Sequence, residues 1–174
     1  MSKLFYLLSI FASISISKAF IRTGITLNGD VISNVEPQGV IVKKLNETST
    51  EILYTEEFNA DTNPLKLYWN FFFENTGVRQ IEEIDNLCAK QKYGSPKYAA
   101  KSYVLNFFAN TDKCPIKKGT KVIYTIGIPF THINTNPSCG INHGSFSLFK
   151  KNVDGKSPLV FLFNFRSNVT GDDC

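Results

Sequence analysis

Short stretches in which apolar and polar residues alternate recur along most of this chain, and they predict an all-β protein. Each stretch is rich in Val, Ile, Tyr and Phe, and turn-forming residues separate it from the next. This spacing is typical of an antiparallel β-sandwich. The predicted strands span residues 31–35, 39–44, 51–58, 65–73, 121–130, 145–150 and 159–165.

Alternation within two of these strands assigns side chains to faces, because successive residues of a strand point to opposite sides. A face with so many aromatic rings must be buried against protein or against a ligand. The residues expected to point inward are Leu65, Leu67, Trp69, Phe71 and Phe73 in one strand and Leu159, Phe161, Phe163 and Phe165 in the other.

Turn-forming residues lie between the predicted strands. Asp154-Gly155 stands between 145–150 and 159–165 and predicts a hairpin tip, so these two strands are expected to pair directly. Three further turns are predicted from residues that tolerate a left-handed backbone or fix φ. These are Asn28-Gly29, Asn63-Pro64 and Asn75-Thr76-Gly77.

The segment between Cys88 and Cys114 has a different pattern. Its apolar residues recur at spacings of three and four, which favours a helical or irregular insertion over residues 97–108. Pro96 and Asn110 are suitable boundaries for such a helix. The residues that carry the spacing are Ala100, Tyr103, Val104, Phe107 and Phe108.

Residues 1–19 have the pattern of a secretory signal peptide. Lys3 precedes an apolar run over 4–16, and Ser17-Lys18-Ala19 supplies small residues for cleavage. The run is about 13 residues long, too short to span a bilayer. We therefore expect a mature domain over 20–174 that is extracellular or lies in the lysosomal lumen.

The charge of the chain gives no indication of a nucleic-acid partner. The formal net charge is +4, and Lys3 and Lys18 account for two of these charges, which leaves +2 on the predicted mature chain. Acidic and basic residues are evenly mixed along it. No nucleic-acid binding is expected.

The four cysteines fit a secreted protein with two disulfides, although the residues alone leave three pairings open. No Cys-x-x-Cys or His-x-x-x-His spacing occurs among Cys88, Cys114, Cys139 and Cys174 or the two histidines, so no metal and no cofactor is predicted. Asn46-Glu47-Thr48 and Asn168-Val169-Thr170 are acceptor sequences for N-glycosylation, which places Asn46 and Asn168 near the surface.

Nothing in the sequence indicates an enzyme. Only His132 and His143 are bases suited to neutral pH, and neither stands in a recognised catalytic arrangement. No nucleophile motif or paired-carboxylate pattern is present.

The region around Cys114 resembles the ML lipid-recognition family, whose members include lysosomal sterol carriers and mite group 2 allergens. Cys114-Pro115-Ile116 with Lys118 precedes a strand that contains Tyr124, and Ile128-Pro129 ends that strand. Asp154-Gly155-Lys156-Ser157 then leads into an apolar last strand. The resemblance extends over most of the mature chain, and only its Cys-Pro-Ile-x-Lys part is specific.

The resemblance implies an immunoglobulin-like antiparallel β-sandwich with an apolar cavity between its sheets. It also implies a disulfide between Cys88 and Cys114, which leaves Cys139 to pair with Cys174. The residues it suggests as the lining of a lipid site are Leu67, Trp69, Phe71, Phe73, Val122, Tyr124, Ile126, Phe146, Leu148, Phe161 and Phe163.

The chain departs from the family at two points. Members similar to the sterol carrier have an early cysteine bonded to one in the last strand, whereas no cysteine precedes Cys88 here, and Val160 and Phe161 stand in that part of the last strand. The interval from Cys88 to Cys114 is also far longer, so contacts at a lipid entrance do not transfer from the family.

Two functions follow as hypotheses. One is a secreted lipid-binding or lipid-transfer protein that holds a sterol, fatty acid or phospholipid and meets a membrane or receptor. The other is a β-sandwich recognition module, of the innate-immune co-receptor or adhesion type, with a solid core. In this second hypothesis, the loops of the module are expected to bind a protein or a microbial lipid.

Overall fold

Strands dominate the chain in a computed structural model that describes residues 19–151 and 156–174. The prediction of an all-β protein is confirmed. The predicted signal peptide and the Asp154-Gly155 hairpin tip lie outside the described residues. The elements are β1 (Phe20–Ser33), β2 (Val40–Lys44), β3 (Ser49–Tyr54), β4 (Leu65–Phe73), β5 (Arg79–Ile84), α1 (Pro96–Ala109), β6 (Lys121–Thr125), β7 (Pro129–Asn134), β8 (Gly140–Lys150) and β9 (Leu159–Thr170).

The strands form two sheets that pack against each other, as predicted for a β-sandwich. The larger sheet has six strands in the order β5-β4-β8-β9-β1-β7, and the smaller has three in the order β2-β3-β6. Every pairing is antiparallel. β8 and β9 pair directly, as the sequence predicts, although both are longer than expected.

The predicted strand over 121–130 is wrong, because the chain changes sheets within it. β6 belongs to the smaller sheet and β7 to the larger one. Gly127 lies between them with a φ of +90°, a conformation that side-chain-bearing residues rarely adopt. Its N–H donates to the Thr26 carbonyl at 3.0 Å, which fixes the crossing against β1.

The predicted turn at Asn28-Gly29 is also wrong. These residues lie inside β1, where a bulge between Thr26 and Asn28 shifts the register against β9. A glycine is required at position 29, because a Cβ there would lie 2.8 Å from both the Asn164 carbonyl oxygen and the Phe163 ring. β1 therefore begins at Phe20, well before the predicted start at residue 31.

The prediction of a helical insertion between Cys88 and Cys114 is confirmed. Ser95 caps the start of α1 by accepting a hydrogen bond from the Tyr98 N–H at 3.1 Å. Asn110 ends the helix in the left-handed conformation, with φ 48° and ψ 43°.

Helix α1 fills the interior beside the smaller sheet. The Phe108 ring lies 4.5 Å from Tyr124 of β6, 4.9 Å from Phe146 of β8 and 5.2 Å from Phe163 of β9, measured between ring centroids. The Tyr54 hydroxyl donates to the Phe108 carbonyl oxygen at 2.9 Å. One helical side chain thus contacts both sheets, and the second layer of the sandwich is the smaller sheet together with α1.

Both predicted disulfides are present. Cys88 bonds to Cys114 and so joins the two ends of the insertion that contains α1. Cys139 bonds to Cys174 and holds the C-terminus against the segment that precedes β8. Two disulfides fit an extracellular or lysosomal protein. Among the described residues, no helix has the length and apolarity that a membrane span requires.

Candidate functional site

A solvent-connected cavity of about 100 Å³ lies between the larger sheet and the N-terminal half of α1. All six strands of the larger sheet contribute to one wall, and α1 supplies the other through Pro96, Ala99, Ala100 and Tyr103. None of the described residues of β2, β3 or β6 lines it. The empty space therefore lies beside the smaller sheet rather than between the two sheets.

One side of the cavity is aromatic. Trp69 is the chain's one tryptophan, and its ring centroid lies 5.3 Å from Tyr103 and 5.8 Å from Phe165, both in edge-to-face contacts. Such contacts are typical of well-packed aromatic clusters. An apolar group that enters the cavity meets a wall made of Trp69, Phe71, Phe73, Tyr103, Phe130 and Phe165.

Three hydroxyl groups form a buried cluster at the end of the cavity nearest the core. The Tyr124 hydroxyl donates to Thr26 Oγ1 at 3.1 Å, and the Tyr103 hydroxyl lies 3.2 Å from the same atom. Burial is the main reason why the pKa values of both tyrosines are raised, so both stay protonated at neutral pH. The cluster joins β1, α1 and β6 at one point.

Arg22 of β1 lies at the polar end of the cavity, with only 1% of its surface exposed. Its guanidinium forms an ion pair with Asp173, next to the disulfide-bonded Cys174. Its Nη2 also donates to the Pro137 carbonyl oxygen at 2.9 Å. The buried positive charge is therefore compensated by the C-terminal segment.

Three buried side-chain nitrogens lack a hydrogen-bond partner among the described residues, and all three belong to residues that line this cavity. They are Arg22 Nε, Trp69 Nε1 and His132 Nδ1. Unpartnered buried polar atoms are rare in native proteins, and each calls for an explanation. Burial lowers the pKa of His132, and the nearby Arg22 adds to this effect, so His132 is neutral at neutral pH.

Amide and carboxylate side chains form the outer rim of the cavity. Asn136 donates to Gln80 Oε1, and Gln80 in turn donates to Glu82 Oε1 at 2.7 Å. Deeper in the cavity, the Ser167 hydroxyl donates to Asn142 Oδ1 at 2.8 Å, and both residues are buried. The cavity is thus amphipathic, with aromatic rings on one side and hydrogen-bonding groups on the other.

The structure places only three of the residues suggested as a lipid lining in this cavity. These are Trp69, Phe71 and Phe73 of β4. Phe108 of α1 packs against the rings of β8 and β9, so the predicted space there is filled. The suggested residues that lie in this solid core are Leu67, Tyr124, Phe146, Leu148, Phe161 and Phe163, with Val122 beside them and Ile126 half-buried at the edge.

The contribution of β1 to the cavity is not among the sequence predictions. In this strand Arg22 and Thr26 are buried, whereas Ile21, Ile25 and Leu27 are exposed, the reverse of the usual pattern. Polar residues at every second position of a strand next to exposed isoleucines are a signal that its inner face meets a partly polar cavity. The signal depends on a strand assignment for residues 20–30, and the sequence predicts no strand there.

The other predicted site residues lie apart from the cavity. Asn46 is exposed between β2 and β3, where its Oδ1 accepts from the Ser49 N–H at 2.8 Å. Asn168 is half-buried in β9, paired with Ile25 and Ile141. His143 is exposed and contacts Glu74.

A scan against models of known protein families finds no match, and no curated protein matches the chain.

Proposed function

We propose that this protein binds an amphipathic lipid, or the apolar part of one, in the cavity beside Trp69, and that it carries or transfers this ligand. The observation that carries the proposal is the coincidence of an aromatic wall with three unpartnered polar nitrogens in one cavity. Ligand sites are mostly apolar concavities with a few polar groups that fix the orientation of the ligand.

The size of the cavity limits what enters it. An engineered cavity of about 150 Å³ takes up benzene, so a space of about 100 Å³ suits a short chain segment or a small ring. Each methylene that leaves water contributes about 0.8 kcal/mol. A whole sterol would require α1 to move away from the sheet, whereas a single chain enters from the open rim.

We further propose that the protein is secreted and belongs with ML lipid-recognition proteins. The two disulfides and the signal-peptide pattern of residues 1–19 support secretion. The β-sandwich, the Cys88–Cys114 bridge and the Cys-Pro-Ile sequence support the likeness to that family.

Native mass spectrometry of the protein from a eukaryotic secretory host tests lipid binding. We expect the wild-type protein to carry additional mass from a bound lipid, which extraction with organic solvent removes. Ala99→Phe should abolish this additional mass, because position 99 lines the cavity and is not part of the main core. The matched control is Lys97→Phe, an exposed position on the same helix, which should retain the bound mass. Loss of the mass in both variants, or its presence in both, would contradict the proposed site.

One observation favours the alternative of a β-sandwich recognition module. The interior between the two sheets is solid, since Phe146, Phe161 and Phe163 have no exposed surface. A solid sandwich presents its loops and sheet faces to partners. This alternative predicts that the purified protein carries no lipid and that filling the cavity with Ala99→Phe leaves partner binding intact.

A further inference from the structure

The charges around the cavity bear on the head group of its ligand. In the part of the chain that the structure describes, two charged side chains line the cavity, those of Arg22 and Glu82. The positive charge of Arg22 is already paired with Asp173. Glu82 accepts a hydrogen bond from the neutral Gln80 amide and has no part in the ion pairs among the described residues.

His132 does not add a positive charge, since it is neutral at neutral pH. An anionic head group in the cavity would therefore meet the Glu82 carboxylate and no unpaired cation among the described residues that line the cavity. It would also lose its hydration, and an ionised carboxylate that leaves water without a partner carries a large desolvation penalty. A hydroxyl or carbonyl group loses far less on entering.

The unpartnered nitrogens complement a neutral acceptor. Arg22 Nε and Trp69 Nε1 are both donors, and neither has a partner among the described residues. A buried donor without an acceptor loses its hydration with no compensation, so an oxygen supplied by a ligand restores a hydrogen bond. Both nitrogens are fully covered by neighbouring atoms, so a small rotation of either side chain accompanies binding.

We propose that the cavity selects amphiphiles with a neutral, hydrogen-bond-accepting head group, such as an alcohol, over amphiphiles with an anionic head group. This inference rests on the proposed lipid-binding function and narrows it to a chemical class.

Titration of the mature protein with octan-1-ol and with octanoate at pH 7.5 tests the selection. The two probes share a chain length, so their difference reports the head group. Trp69 lines the cavity and is the chain's one tryptophan, so its fluorescence follows occupancy. We expect octan-1-ol to bind at least about tenfold more tightly. Equal or tighter binding of octanoate would overturn the inference and leave lipid binding intact, whereas no response to either probe would overturn the proposed function.

Two matched variants locate the origin of the selection. Glu82→Gln removes the carboxylate from the cavity and should raise octanoate affinity severalfold relative to octan-1-ol affinity. Glu83→Gln makes the same change at the next residue of β5, where the side chain pairs with Lys66 away from the cavity, and should leave both affinities unchanged. Equal effects of the two variants would show that overall charge, not the cavity, sets the preference.

Asp173→Asn provides an independent test, because it leaves the Arg22 charge without its carboxylate partner. Octanoate affinity should rise toward that of octan-1-ol. Thermal melts accompany this variant, since Arg22 is buried, and the Glu82→Gln result decides the question if Asp173→Asn does not fold. Unchanged octanoate affinity in a folded Asp173→Asn protein would contradict the role assigned to the ion pair.

Discussion

Trp69 and Phe146 stack with their ring centroids 5.3 Å apart, and the boundary between the empty and the solid interior runs between them. Trp69 lines the cavity, whereas Phe146 has no exposed surface and also contacts Phe108, Phe161 and Phe163. Two neighbouring rings on paired strands thus have different surroundings, because one faces the cavity and the other lies in the solid core.

This boundary predicts that two Phe→Ala substitutions differ in how much they reduce stability and how much they reduce binding. Phe146→Ala empties a fully packed position and should lower the free energy of unfolding by about 3–5 kcal/mol. Phe71→Ala, on the cavity wall, should lower it less, because its ring already lacks neighbours on one side, and should weaken octan-1-ol binding more. Urea unfolding measures the stability of both variants, and titrations followed by Trp69 fluorescence measure their octan-1-ol affinity. Equal decreases in the free energy of unfolding would contradict the placement of Phe146 in the core and Phe71 on the cavity wall.

Helix α1 should stabilise the whole sandwich through Phe108. We expect Phe108→Ala to cost about 3–5 kcal/mol, since its ring packs against β6, β8 and β9. Phe107→Ala, the next residue, should cost less because Phe107 is only half-buried and packs near the surface against Tyr103 and Phe130. Denaturant unfolding of the two variants measures both decreases in the free energy of unfolding. If Phe107→Ala lowers this free energy as much as Phe108→Ala does, the role of Phe108 as the core residue of the helix is contradicted.

The burial of His132 predicts a loss of stability in mild acid. Its pKa is lowered in the folded protein from the unfolded value of about 6.5, so the unfolded chain takes up a proton first as the pH falls. The free energy of unfolding should therefore decrease as the pH falls from about 6.5 to the lowered pKa of His132. Above about pH 6.5, His132 should contribute no pH dependence.

Urea unfolding at pH 7.5 and pH 5.5 measures this decrease. We expect His132→Asn to show a smaller decrease than the wild type. Identical pH dependence in wild type and His132→Asn would refute the assignment.

The two disulfides should stabilise the fold similarly but affect the site differently. Their sequence separations of 26 and 35 residues correspond to roughly 3.5 and 4 kcal/mol in the chain-entropy relation. Replacing Cys139 and Cys174 by serine also releases Asp173 from Arg22, so it should narrow the preference for octan-1-ol over octanoate.

Replacing Cys88 and Cys114 by serine serves as the control, because this bridge does not hold the C-terminus. That variant should keep the head-group preference of the wild type. The same change of preference in both double variants would contradict the role of the Cys139–Cys174 bridge at the site.

Alternation along the chain was sufficient to predict the β-sandwich and the inner face of β4, including Trp69, Phe71 and Phe73. It was not sufficient to locate the cavity, because periodicity shows which face is buried and not what packs against it. Phe161 and Phe163 point inward as expected, but a helix more than fifty residues earlier in the chain supplies Phe108 to cover them.

The polar end of the cavity could not be predicted from the sequence either, because it depends on contacts between distant residues. Arg22 and Thr26 lie on a strand with exposed isoleucines, and a bulge after Thr26 interrupts its alternation. The partner of Arg22, Asp173, is distant in sequence and is brought close by the Cys139–Cys174 bridge. Such long-range contacts leave no local pattern in the sequence.

Quenching of Trp69 by a brominated amphiphile tests ligand binding in the cavity most directly, because a bromine atom quenches tryptophan only at close range. With 8-bromooctan-1-ol we expect a saturable loss of Trp69 emission that exceeds any change caused by octan-1-ol and that excess octan-1-ol reverses. Ala99→Phe should abolish the loss, and Lys97→Phe should preserve it. An absence of saturable quenching in the wild type, or quenching of equal strength in Ala99→Phe, would show that the amphiphile does not bind in this cavity.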